Sequence, residues 1–225
     1  AYFFDINTKS SFIIDKKNKL YFSGYFGRDF FKLDNTFLLL YGNTTFNLRW
    51  NHLINDKTFS NTSLIYSDYY YGLQLDFVGF DWNSGIKNLN IKFDLKNYYS
   101  SNIQFNYGAN IIYYDFNPGK IMPINKESGI NPSSLNKKFA FENAAYFDVI
   151  HKISNKISVR YGLRFNQFIR LKQLGLKSYL NNKPVVFDSV LKIYNGAEPL
   201  ANNYSSDTNI FKSFNNIEPR FNLSF

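Results

Sequence analysis

The feature that most restricts the fold of this chain is a two-residue alternation of apolar and polar side chains, repeated in segment after segment. A strand with one oily and one watery face repeats every two residues, whereas a helix repeats every 3.6. In ISVRYGLRF, Ile157, Val159, Tyr161, Leu163 and Phe165 fall on one face, and Ser158, Arg160, Gly162 and Arg164 on the other. NLNIKFDLK sets Leu89, Ile91, Phe93 and Leu95 against Asn88, Asn90, Lys92, Asp94 and Lys96. SNIQFNYGANI and FNLRWNHLI repeat the pattern, the second with Phe46, Leu48, Trp50, His52 and Ile54 on its apolar side. Such segments are strands with one ionic and one apolar face.

The breaks come in two kinds. DKKNK at 15–19, NDK at 55–57, YYSS at 98–101 and SNK at 154–156 are short polar turns suited to hairpins. Between them lie longer breaks around 79–85, at 116–138 and at roughly 171–214, where Pro, Gly, Asn and Ser collect. The connection near 33–36 is brief. Expected strands run over about 2–14, 20–32, 37–54, 58–72, 86–96, 102–114, 139–152, 157–170 and 216–225, roughly nine in all. Short turns at one end and long loops at the other are the pattern of an outer-membrane barrel, with short periplasmic turns and long extracellular loops. The expected class is therefore all-β, an antiparallel up-and-down transmembrane β-barrel forming one domain over 1–225. An odd strand count points to an incomplete segment, because single-chain bacterial barrels use even numbers.

Composition narrows the function classes. The chain has 225 residues, no Cys and two His, which excludes thiol catalysis and a Cys-ligated metal site and leaves little for general-base chemistry. No enzyme activity, no metal and no cofactor are expected. No apolar run reaches the length of a transmembrane helix, the longest being TFLLLY at 36–41. An aromatic content of 20% argues against a disordered chain, although Asn, Lys, Ile, Tyr and Phe are also what an AT-rich genome encodes. The sequence opens at Ala1 directly into YFFDI, so any export signal is expected to have been removed or to lie outside this segment. The net charge of +9 is spread over turns and alternating faces rather than gathered on one patch, which argues against nucleic acid.

Candidate site residues follow from parity and height. Arg49, Lys92, Asp94, Glu142, Asp148, Arg160 and Arg164 belong to polar faces and are expected to face a barrel lumen. With the 154–156 turn centred on Ser154, Asp148 would face Arg160 and Glu142 would lie diagonal to Arg164, both as strand-pairing contacts. A strand tilted by about 45° rises roughly 2.3 Å per residue along the membrane normal. That step places Tyr69, Tyr71 and Tyr113 at an outer aromatic girdle and Trp50, Phe59 and Tyr98 at an inner one. His52 and His151 fall on apolar faces near short turns, at the expected interface.

Three stretches carry a family resemblance: LRWNHLINDKTFSNTSLIYSDYYYGL at 48–73, YGANIIYYDFNPG at 107–119 and IEPRFNLSF at 217–225. They resemble the barrel of Bacteroidota TonB-dependent receptors. The resemblance implies part of a barrel of about 22 strands occluded by an N-terminal plug, in the bacterial outer membrane, with further strands after Phe225. It also implies import of a bulky ligand such as a siderophore, glycan or peptide, with outer-membrane lipid, the TonB complex and a surface lipoprotein as partners. Neither plug nor TonB box is visible in this sequence, so TonB would act through a plug elsewhere. Asp188, Ser189 and Val190 look like the O-glycosylation signal of Bacteroidota secreted proteins, with Ser189 as acceptor. The main alternative is a complete small outer-membrane barrel with an adhesion or structural role. An outer-membrane enzyme and a soluble lipocalin-like binder are further alternatives.

Overall fold

The computed structural model describes residues 1–34, 36–171, 179–200 and 210–225. Their main sheet runs β1 (Tyr2–Ile13), β2 (Asn18–Leu33), β3 (Phe37–Asn55), β4 (Thr58–Leu75), β5 (Phe80–Tyr98), β6 (Ile103–Pro123), β8 (Lys138–Lys152), β9 (Ser158–Leu171) and β12 (Ile210–Ser224), each antiparallel to the next. A two-residue strand, β7 (Ser133–Ser134), pairs with the far end of β6. A separate hairpin of β10 (Val185–Asp188) and β11 (Ile193–Gly196) lies between β9 and β12, after a single 3-10 turn at Leu180–Asn182. Sequence neighbours pair throughout, so the sheet is an up-and-down meander. Among the described residues β1 and β12 do not pair with each other, and no helix is long and apolar enough to cross a membrane.

One local device shapes the four tight turns. In each, a short polar side chain at the turn entrance accepts backbone N–H groups two or three residues on. Asp15 Oδ1 accepts from Lys17 at 2.7 Å and Asn18 at 2.8 Å; Asn55 Oδ1 accepts from Lys57 at 3.0 Å. Ser100 Oγ accepts from Asn102 at 3.2 Å and Ile103 at 3.1 Å, and Ser154 Oγ from Lys156 at 3.3 Å and Ile157 at 3.2 Å. These four turns lie at the same end of the meander.

At the opposite end the strands run further than composition implies. The break expected around 79–85 shrinks to residues 76–79, because Phe80 through Ser84 continue β5 against β4 with Leu75 opposite Phe80. Gly79 turns the chain with φ of 76°, a left-handed conformation that a side chain would strain. Likewise β6 runs on to Pro123, so the break expected over 116–138 is reduced to 124–132 and 135–137 around β7. Pro118 and Gly119, which read as loop formers, sit at a bulge. Gly85 pairs with Asn117 while Asn83 pairs with Lys120, and the Ser84 hydroxyl donates to the Asn117 carbonyl at 2.9 Å. A bulge is where a strand tolerates a proline that cannot donate to the ladder. In the same way β12 starts at Ile210 rather than near 216, and Pro219 is accommodated on a strand with one paired side.

Candidate functional site

Directly opposed residues of an antiparallel pair share a face. Following the register across the sheet places Arg49, Lys92, Asp94, Glu142, Asp148, Arg160 and Arg164 all on one face. On this face Asp148 is 3% exposed, and Asn106, Ala140 and Ala144 are also buried, as are Thr58, Ser60 and Val149 toward the tight-turn end of the other face. The opposite face carries Phe46, Leu48, Leu64, Leu89, Ile91, Ile111, Phe147, Leu163 and Phe165, all exposed despite their size.

The ionic face is tied together by side chains that reach between strands. The Tyr146 hydroxyl on β8 donates to Asp94 on β5 at 2.7 Å, passing over β6. That reach is possible because the intervening residue is Gly108, where a Cβ would meet the Phe93 carbonyl and lie 2.8 Å from the Tyr146 ring. Lys92 adds an ion pair to Asp94 at 3.0 Å. Tyr114 donates to Glu142 at 3.0 Å, and the Arg49 guanidinium lies 4.6 Å from the centre of the Tyr21 ring. Arg164 donates to Asn166 at 2.7 Å, Asn166 to Glu218 at 2.7 Å, and Arg220 pairs with Glu218 at 3.1 Å. Glu218 and Arg220 were not picked out from the sequence, although EPR alternates as the other segments do.

Two expected contacts change because the turn is centred one residue later than Ser154. Asp148 stands opposite Gly162, and Arg160 opposite Ile150. The Asp148–Arg160 ion pair at 2.7 Å is therefore diagonal, and Gly162 leaves room for it, since a Cβ there would collide with the Asp148 carboxylate. Glu142 stands opposite Phe168 and Arg164 opposite Tyr146, too far apart along the ladder for the expected pairing.

The six aromatic residues expected in girdles divide between the faces. Trp50 and Tyr113 are on the apolar face; Phe59, Tyr69, Tyr71 and Tyr98 are on the ionic face, which corrects their assignment to a lipid-facing belt. Height along a strand was the basis of that assignment, and height says nothing of parity. Of the three consecutive tyrosines Tyr69, Tyr70 and Tyr71, it is Tyr70 that lies on the apolar face, where the Arg28 guanidinium sits 5.4 Å from its ring centre. Phe59 and Tyr98 instead pack as a tilted pair on the ionic face, with ring centroids 6.0 Å apart.

The apolar face has sharp ends. At the tight-turn end, Asn18 Oδ1 accepts from Trp50 Nε1 at 3.0 Å and lies 2.7 Å from His52 Nδ1, holding the two rings together. At the other end the face passes into ion pairs, Lys87 with Asp68 at 3.1 Å and Lys137 with Asp115 at 2.9 Å. On β5 the apolar set Leu95, Phe93, Ile91 and Leu89 fills the space between, about 14 Å along the normal of a strand tilted by about 45°. His52 and His151 lie on strands β3 and β8, and among the described residues no group of three His, Cys, Asp or Glu could hold a metal ion. Ser189 is exposed in the turn between β10 and β11, where Asp188 Oδ1 accepts from Val190 at 2.9 Å and Leu191 at 3.0 Å. Residues 172–178 and 201–209 of the expected loop 171–214 lie outside the described residues.

No family model and no curated protein matches this sequence. Among solved structures the chain is similar to a copper transporter, OprC, with a TM-score of 0.65 at 7% identity over 97% of this chain. The fold is that of an outer-membrane barrel wall. The likeness covers 33% of the transporter, so this chain spans about a third of the length of the protein it resembles. At that identity the similarity concerns backbone architecture alone, and copper is a property of the neighbour.

Proposed function

We propose that this chain forms part of the wall of a TonB-dependent outer-membrane receptor of the Bacteroidota type, which imports a bulky ligand such as a siderophore, glycan or peptide. The observation that carries the reading is the division of one antiparallel meander into an exposed apolar face bounded by ion pairs and a hydrogen-bonded ionic face. Lipid would cover the first, and a polar lumen would adjoin the second. A soluble lipocalin-like binder would turn its apolar side chains inward, whereas the exposure of Leu48, Ile91 and Leu163 supports an apolar face that no described element covers. The backbone likeness to an outer-membrane transporter supports the same reading.

In this arrangement the four tight turns face the periplasm, and the chain at 124–137 and the hairpin of β10 and β11 face the cell exterior. Energy would come from the TonB complex through a plug, and a surface lipoprotein would cover the outer mouth. Ser189 is offered as an O-glycan acceptor on the exterior side; a peptide mass equal to the unmodified sequence around it would remove that part. The reading is tested in two steps. The protein should fractionate with the outer membrane and migrate as a folded species on a gel until heated. Deleting its gene should then reproduce the loss of TonB in at least one ligand-limited growth condition. Full growth of the deletion strain in every TonB-dependent condition would overturn the import role.

A further inference from the structure

We propose that the hollow over Ala140 binds a small aromatic carboxylate, an inference that rests on reading the ionic face as the lumen wall and names a ligand class for it. Ala140 stands in one ladder row between Tyr114 of β6 and Arg170 of β9. The neighbouring rows carry Phe116 and Lys138 on one side and Glu142 and Phe168 on the other. One methyl group surrounded by long side chains leaves a hollow of about 400 Å³, within the range of small-molecule sites. It lies some 12 residues from the tight turns, so on tilted strands it opens roughly 28 Å up the wall, at the outer mouth.

The lining sets the ligand's chemistry. Tyr114, Phe116 and Phe168 present aromatic surface to a flat body resting on Ala140, where stacked or edge-on ring contacts are favoured. Charge on the two sides differs. Glu142 is already engaged by the Tyr114 hydroxyl at 3.0 Å, whereas Lys138 is exposed and has no salt bridge among the described residues. The Arg170 guanidinium packs 4.7 Å from the centre of the Phe211 ring and closes the remaining wall. A ring with one carboxylate can lay its apolar body on Ala140 and its charge against the Lys138 ammonium. An amine of the same shape meets that ammonium as a like charge.

The test is titration calorimetry on the full-length protein in detergent with three probes of one shape: 1-naphthoate, 1-naphthalenemethanol and 1-naphthylmethylammonium. Naphthoate should bind at least about tenfold more tightly than the other two, the size of one charge-assisted contact. Ala140→Phe fills the hollow and should abolish that binding. Lys138→Glu, an exposed change that leaves folding intact, should weaken naphthoate and strengthen the ammonium probe. Equal binding of all three probes, or naphthoate binding unchanged in both variants, would show partition into the micelle and overturn the proposal. Gel mobility of the unheated protein separates the two levels: a folded, membrane-inserted protein that ignores naphthoate refutes the ligand class alone. A protein that never enters the membrane refutes the lumen-wall reading with it.

Discussion

The two faces of the sheet are made from the same strands, alternate residue by alternate residue, yet they meet their surroundings in opposite ways. On the ionic face, three polar contacts join side chains across the sheet: Tyr146 with Asp94, Asp148 with Arg160, Asn166 with Glu218. Small residues make this possible, because Gly108 and Gly162 lie beneath the side chains that cross them. On the apolar face, Ile91 and Leu163 remain 51% and 50% exposed, and no other described element packs over them. A protein in water would lose stability by leaving such a band open, at about 25 cal/mol per Å² of apolar surface. In a bilayer the same band is the part that needs no protein partner. In the function proposed above the hydrophobic side would be the exterior of the barrel; cohesion within the sheet comes from backbone ladders and the polar side.

Five substitutions, in three groups, test that contrast and the turn beside it. The largest effect is expected from charge on the wrong face. Ile91→Arg, near the middle of the apolar band, should cost about 2–4 kcal/mol, while Asn90→Arg, one residue away on the ionic face, should stay within about 1 kcal/mol. Guanidinium unfolding of the protein in phospholipid vesicles measures both, and equal costs would erase the distinction between the faces. A smaller effect should follow from blocking the reach over β6. In Gly108→Val the new side chain meets the Phe93 carbonyl and displaces the Tyr146 ring from Asp94, at about 1–3 kcal/mol. Tyr146→Phe keeps the ring and loses the hydrogen bond, and thermal unfolding should show a smaller loss than for the valine variant.

The smallest effect concerns the turn between β1 and β2, away from both faces. The Asn18 side-chain amide and the Lys17 N–H donate to Asp15 and hold its carboxyl below the ordinary carboxylate value. A lowered folded value means that the contribution is present above the unfolded value and is lost as pH falls through the lower folded one. Acid titration of the folded fraction below about pH 4 should therefore show a shallower decline for Asp15→Asn than for the parent. An identical acid limb in the two proteins would remove Asp15 from the account.

What could be read from the sequence was whatever depends on neighbours one or two residues apart. Alternation in segments such as Leu89 to Leu95 and Ile157 to Phe165 marks strands and sorts residues by face, because successive side chains of a strand point to opposite sides. Turn chemistry at Asp15, Asn55, Ser100 and Ser154 is equally local, since each side chain bonds a backbone group within three residues. The strands of polar composition were not legible. Residues 80–84 and 116–123 look like loops until β4 pairs with the first and β5 with the second, and the bulge that absorbs Pro118 exists only between two strands. Register was likewise out of reach of the sequence: a turn centred one residue later turned the Asp148–Arg160 pair diagonal and separated Glu142 from Arg164. The side-chain hydrogen bond between β5 and β8 and the hollow over Ala140 belong wholly to the tertiary structure. Both join residues of strands far apart in the chain, and only the lateral order and stagger of the sheet bring those residues within reach.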